Sequence, residues 1–444
     1  MVKMKGIRIK FKTKRSTLNA KKGDMDMADE RKPADSGFHW AWIILAVCFA
    51  DLYINYGIRL GYSVLLPEMI RTMGFTRRQG GDIFNSYFIV YVIFSLFTGY
   101  LTDRLGARRV ISFFCVILGV GTILMGTAQN FWQACIFYGI VGMGGAAMWT
   151  PIITLVQKWF AIKKKGMALG ILSTGFGLGF ATMGRFYPVV VAQWNWRYCW
   201  YLLGVAALLM VVVNALFLRS KPEDKGVSPW GQLPDDSVPA QGAPSAQSQK
   251  IRFSEILALP RFWFIGFSYF LIAAALYLIL TFMVDYARYE LGFPYGKASM
   301  LATIHGMGQI VGVLTIPMAS DYIGRRMTLI ITNTCIALSI LSIILAGGNE
   351  PWLFISIGFI GAFFGATFPM YGACGGDYFK REMMGTVIGA LTLFYGSGAI
   401  IANRMGGQIR DATGSFHIPF GIAVFAAILA ALMMFFVKNP EKKA

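Results

Sequence analysis

"GYLTDRLGARRV", Gly99 to Val110, sits between two long apolar runs, and a thinned copy, "MASDYIGRRM", returns at Met318 to Met327. The two acids, Asp103 and Asp321, are 218 positions apart. The chain around them is too greasy for a soluble globule: of 444 residues, 56% are hydrophobic and only 14% are charged. A helix crosses the hydrocarbon layer with roughly 20 mostly apolar residues, and such runs recur from Trp40 almost to the last residue. They predict twelve spans, near 40–69, 82–102, 109–129, 132–157, 166–191, 198–218, 262–288, 298–318, 327–346, 352–377, 384–408 and 416–437. The runs are continuous rather than alternating, which argues against a closed barrel. The expected fold is an all-α membrane protein.

The repeat extends beyond the two loops. Trp159-Phe160 and Tyr378-Phe379 are 219 apart, as are Gly166 and Gly385, and Gly170 and Gly389. Between the copies, residues 220–254 turn rich in Pro, Gly, Ser, Gln and charge, a composition that cannot bury enough to fold alone. The expected layout is a basic tail at 1–38, a six-helix half at 39–219, a linker at 220–254, a second half at 255–438 and a short tail at 439–444. Two parallel six-helix repeats make a transporter architecture whose substrate binds between the halves near mid-membrane.

The formal charge of +19 does not point to nucleic acid, because of where it falls. Eleven of the 41 Lys and Arg precede Gly37. Fourteen of the other 30 gather in alternate loops, Arg104, Arg108 and Arg109; Lys158 and Lys163 to Lys165; Arg219, Lys221 and Lys225; Arg325 and Arg326; Lys380 and Arg381, whereas the intervening loops carry fewer, Arg77, Arg78, Arg197, Arg288 and Arg410, with acidic neighbours. Counting spans puts the more basic loops on one side with both termini, and the positive-inside rule makes that side the cytoplasm of a cytoplasmic membrane. The N-terminal run has no apolar core, so it reads as a solvated tail that touches anionic lipid rather than a cleaved signal; a start at Met25 or Met27 is the other reading. Six cysteines without CxxC or Cys/His spacing predict neither disulfides nor a metal site.

The first of the two loops resembles the signature loop of the major facilitator superfamily after the second helix, and "SDYIGRRM" resembles its weaker copy after the eighth. The first helix, "WAWIILAVCFADLYINYGIRLGYSVLLPEM", the passage "WFAIKKKGMALGILSTGFGLG" and the passage "GDYFKREMMGTVIGALTLFYGSGAIIANRMGGQIRDATGSF" are similar to those of monocarboxylate porters and oxalate/formate antiporters. The resemblance implies alternating access, with a loop built on Gly99, Asp103, Arg104, Arg108, Asp321 and Arg325 that latches the cytoplasmic ends. Charge in these loops also has a plainer reading, fixing topology alone. Gly99 and Gly106 are expected to allow close helix approach. In that branch the eighth helix carries an arginine for the substrate carboxylate; here the position is Val313.

Ionisable residues inside spans are costly and default to functional candidates. Arg59, Arg185 and Arg404 come from both halves at similar predicted depth, which implies a positive central cavity and an anionic substrate. The planar fork of arginine suits a carboxylate or sulfonate. Asn55, Tyr56 and Tyr62 lie about one turn from Arg59, and Tyr371 and Tyr395 join the site by helix membership. Each arginine has a second reading: Arg59 as a structural residue, Arg404 as a structural pair near Arg410 and Asp411, Arg185 as a residue reaching for the interface. His305, Asp51 and Asp285 are the candidates for carrying a coupling proton, with a packing histidine and an Asp285–Arg288 ion pair as the alternatives. Asp377 is expected at a gate or loop.

No Walker loop, zinc spacing or GxSxG context appears, so neither an enzyme nor an ATP-driven pump is expected. The functional expectation is a secondary carrier, without cofactor and without need of a second subunit, that moves a small organic anion with protons or against a counter-anion. An exchanger of sulfonates or inorganic anions is the runner-up, and a ligand sensor derived from a transporter is the reading from another class.

Overall fold

The computed structural model describes residues 39–232, 253–379 and 383–437. The tail at 1–38, the centre of the linker, Lys380, Arg381 and the tail at 439–444 lie outside the described residues. The described residues from Trp40 onward form one compact unit. Twelve of its helical segments are long and apolar enough to cross a membrane.

The first half comprises α1 (Trp40–Met73), α2 (Arg77–Leu105), α3 (Ala107–Thr127), α4 (Phe131–Gly145), α5 (Thr150–Trp159), α6 (Ile162–Gln193) and α7 (Trp196–Phe217). A short α8 (Phe253–Leu257) leads into α9 (Pro260–Tyr289), α10 (Tyr295–Ile323), α11 (Arg325–Ala346), α12 (Glu350–Asp377), α13 (Met384–Thr413) and α14 (His417–Phe435). Side-chain caps begin several of them. Thr76 and Gln79 form a reciprocal capping box at α2, while Asn130, Asn195 and Asn349 cap α4, α7 and α12. Such caps satisfy backbone N–H groups that an isolated helix end leaves open. Large exposed apolar side chains, among them Phe113, Leu209 and Phe425, suit a hydrocarbon surround rather than water.

The fourth predicted span departs from a continuous helix. In "GMGGAAMWTP" it breaks between α4 and α5. Added Cβ atoms would come within 2.3 Å of Tyr87 O at Gly142, of Leu118 N at Gly144 and of the Tyr87 hydroxyl at Gly145. Only glycine lets the backbone approach α2 and α3 this closely.

The linker is not structureless from its first residue. Pro222–Lys225 form a 3₁₀ turn, and Trp230 donates its N–H to Trp159 O at 2.9 Å while its own O accepts from Ala161 N at 3.0 Å. Its ring packs 5.0 Å from Trp42 and 5.8 Å from Phe160. This stretch folds against the first half because it borrows backbone partners and aromatic surface it could not supply alone.

Across the halves, α2 packs on α13 and α6 on α10. At the end where α1 finishes and α2 begins the fit is tight: a Cβ on Gly81 would lie 2.5 Å from Asn403 O, and one on Gly407 2.5 Å from Arg77 O. At the opposite end, which carries the repeated charged loops, Gly99, Gly166 and Gly389 have nothing within 4 Å of a Cβ position. The close approach expected at Gly99 is therefore absent. At Gly106 the near neighbour is Ser220 Oγ, 2.9 Å from an added Cβ and beyond the end of α7, rather than another helix.

Candidate functional site

Arg59 lies on α1 with 6% of its surface exposed. Its guanidinium carbon stands 5.5 Å from the ring centre of Tyr56, one turn back on α1, and 5.4, 4.8 and 5.2 Å from Tyr87, Phe88 and Tyr91 on one face of α2. Cation–π attraction of this kind strengthens as water is excluded. Nη2 donates to the Tyr277 hydroxyl at 3.1 Å, and Tyr395 donates to the same hydroxyl at 3.2 Å. Tyr138 fixes the backbone by donating to Arg59 O at 2.9 Å. Among the described residues no carboxylate lies within ion-pair distance of Arg59, and its Nε has no partner. A buried cation without a counter-charge is expensive unless something else neutralises it.

Rings continue from Tyr56 in a circuit that closes only through Arg59 itself, which touches both Tyr56 and Tyr277. Tyr56 neighbours Phe176 of α6 at 5.4 Å, Phe176 neighbours Trp149 at 6.3 Å, and Trp149 neighbours Phe368 of α12 at 5.8 Å. Phe368 then meets Tyr395 of α13 at 6.3 Å, and Tyr395 meets Tyr277 of α9 at 5.5 Å. The circuit draws on both halves. Trp149 reaches it from the break between α4 and α5, where the unpartnered Asn55 Oδ1 and Tyr87 hydroxyl also lie, both close to Gly145.

Of the sequence candidates, Asn55, Tyr56 and Tyr395 gather around Arg59, and the others do not. Tyr62 is wholly buried, donates to Gly80 O at 2.8 Å and stacks on Phe84 and Tyr138. Tyr371 stacks 4.3 Å from Tyr269 and bonds Ser268 at 2.6 Å and Asn333 at 2.9 Å. Arg185 is exposed, and Arg404 is half-exposed and pairs with Asp82 of α2 at 3.3 Å. The expected cluster of three cations is thus one buried arginine and two that point elsewhere, because similar depth does not fix rotation about a helix axis.

His305 is buried on α10 between the rings of Phe180 and Phe364, with Nδ1 2.9 Å from Gln309 Nε2 and Nε2 unpartnered. Phe364 in turn lies 5.5 Å from Tyr277. Asp51 is buried apart from these groups: Oδ1 accepts from Asn214 at 3.0 Å, and Oδ2 has no partner. Asp285 does not pair with Arg288. It accepts from Arg77 Nε at 2.7 Å, while Arg288 meets Glu68 at 2.7 Å, since partners across the interface are nearer than one along the helix.

In the first charged loop Asp103 is exposed and makes no ion pair among the described residues; Arg104 lies over Tyr100 and Arg108 donates to Ala215 O. In the second, Arg325 pairs with Asp321 at 2.5 Å and with Asp377 at 3.1 Å. Val313 is half-buried. Sequence reading missed Tyr87, Phe88, Tyr91, Trp149, Phe176, Tyr277 and Phe368. The spacing of "YFIVY", which puts three rings on one helical face, was the available signal for the first three.

The Major Facilitator Superfamily profile matches residues 41–296 and 265–444. The chain belongs to the major facilitator superfamily. It is a multi-pass membrane transporter, not an enzyme. It is 24% identical over 404 residues to the hexuronate transporter of Bacillus subtilis, covering 87% of this chain and 92% of that one. It is 24% identical over 422 residues to a probable sulfoacetate transporter of Cupriavidus necator, covering 90% and 96%. Monocarboxylate transporter 12-B of Danio rerio is also 24% identical, over 442 residues, covering 93% and 90%. In fold, this member of the superfamily resembles the nucleoside transporter NupG with a TM-score of 0.72 at 13% identity, covering 89% of this chain and all of that one. A bacterial homologue of the lysosomal transporter Spinster in an inward-facing, occupied conformation gives 0.68 at 16%, covering 90% and 97%.

Proposed function

We propose that this carrier moves a small organic anion, a carboxylate, across the cytoplasmic membrane by alternating access, with proton coupling, and that Arg59 is the anion anchor. The observation that carries the reading is a buried guanidinium at the meeting of the two halves with hydroxyls and rings around it and no carboxylate to neutralise it. An anionic ligand supplies the missing charge, and the fork geometry favours two oxygens. Relatives named for hexuronate, sulfoacetate and monocarboxylates are consistent with an anion. Asn55, Tyr56 and Tyr395 complete the substrate site, joined by Tyr277.

With the termini taken as cytoplasmic, open space at Gly99 and Gly389 beside close contact at Gly81 and Gly407 supports an inward-open carrier whose outer end is closed. The loop of Asp103, Arg104 and Arg108 is then a latch waiting for the opposite state. Exchange against a counter-anion is the second reading, favoured by the same lack of a resident carboxylate. The test is uptake of a radiolabelled carboxylate panel into proteoliposomes. Arg59→Gln abolishes uptake of whichever acid the native protein accepts, while the variant stays folded and inserted; unchanged affinity and flux would remove Arg59 from the site.

A further inference from the structure

Building on the reading of Arg59 as the anion anchor, we propose that the substrate is a monocarboxylate with a flat aromatic or otherwise apolar body, and not a polyhydroxylated acid. Three observations combine. First, the belt carries one cation. Arg185 and Arg404 are exposed and turned to other surroundings, and His305 is buried between Phe180 and Phe364, outside the ring circuit. A second carboxylate on the ligand would enter a buried wall with nothing to receive its charge.

Second, the rest of the circuit is ring: Tyr56, Phe176, Trp149, Phe368, Tyr395 and Tyr277, with neighbouring centroids 5.4 to 6.3 Å apart. Several meet edge to face, as at Trp149 and Phe368 with 85° between planes. A planar ligand body gains offset or edge-on contacts on such walls. Third, hydrogen-bonding capacity is scarce. The Tyr277 hydroxyl already accepts from Arg59 and Tyr395, and the groups beside the anchor without a hydrogen bond among the described residues are Asn55 Oδ1 and the single hydroxyls of Tyr56, Tyr87 and Tyr91. A sugar acid with four or five hydroxyls would lose its water contacts and find few replacements.

The experiment measures binding to the full chain in lipid nanodiscs with benzoate, phenylacetate, lactate, D-glucuronate and D-glucarate, and with benzyl alcohol as a neutral probe. Benzoate or phenylacetate is expected to bind at least tenfold tighter than D-glucuronate, which carries the same charge. Trp149→Ala and Phe368→Ala each reduce that preference at least fivefold, Trp149→Phe retains it, and Arg59→Gln removes binding of both acids. Glucuronate or lactate binding as tightly as benzoate, still dependent on Arg59, overturns the apolar body while the anion anchor stands. Benzyl alcohol binding as well as benzoate, indifferent to Arg59→Gln, overturns the anchor itself. Binding of none of the acids at millimolar concentration overturns both.

Discussion

Arg77, at the start of α2, donates from Nε to Oδ2 of Asp285 on α9 across 2.7 Å, joining opposite halves at the closed end. Glu68 and Arg288 make a second such pair at 2.7 Å, and Asp411 accepts from the backbone N–H groups of Arg77 and Arg78 at 3.0 and 2.9 Å. Asp285 is wholly buried and Arg77 only partly so. Closure at this end therefore relies on charge pairs held away from water, with one partner keeping some contact with it.

Replacing Asp285 by Asn leaves Arg77 without its carboxylate. The closed end is expected to weaken by about 1–3 kcal/mol, the cost of stranding a largely buried partner. In a background lacking Cys135 and Cys335, a cysteine at Ser63 reacts faster from outside in this variant. Equal reactivity would show that the pair does not hold the closure.

Gly81→Ala tests the same closure without touching a charge. Its Cβ would sit 2.5 Å from the backbone oxygen of Asn403, which has no rotamer by which to yield. The halves are held apart, labelling at Ser63 rises as in Asp285→Asn, and labelling at a cysteine placed at Gly99 falls. A variant that labels like the parent would mean that the halves do not close this tightly in the membrane.

Arg59→Lys keeps the charge and loses the planar fork. Substrate affinity is expected to fall by about tenfold, ~1.4 kcal/mol, because an ammonium makes one point contact where a guanidinium makes two. Parent-like affinity in a binding assay would show that charge alone is recognised.

The twelve spans and the two-fold repeat were legible in the sequence, because a membrane demands long apolar runs and the recurrence of the Asp103 and Asp321 loops betrays duplication. Arg59 was legible too, since an ionisable group in a span stands out against its cost. What surrounds it was not. Whether Tyr91 or Tyr62 faces Arg59 depends on helix rotation and on packing between residues tens of positions apart. The exchange of partners by Asp285 and Arg288 is of the same kind: a local pairing was the economical reading, and the partner came from the other half. The break at Gly145 had a signal, five Gly or Ala residues and Pro151 within ten positions, which the run's overall greasiness masked.

His305→Ala is expected to remove uptake driven by an acid-outside gradient while exchange of labelled for unlabelled substrate continues, because His305 connects to the anchor through Phe364 and Tyr277. Asp51→Asn, isosteric and remote from the belt, leaves both modes intact. Acid-driven uptake surviving the first change and lost in the second would transfer the coupling role to Asp51.

The solitary charge of Arg59 also sets a kinetic bias. With a monoanion seated, the carrier reorients around a neutral pair; empty, it must reorient around a bare cation deep in low dielectric, which is the harder passage. The return of the unloaded protein then limits net flux. Labelled substrate should leave loaded vesicles faster when unlabelled substrate waits outside than when the outside is bare, and equal efflux under the two conditions would locate the slow step elsewhere.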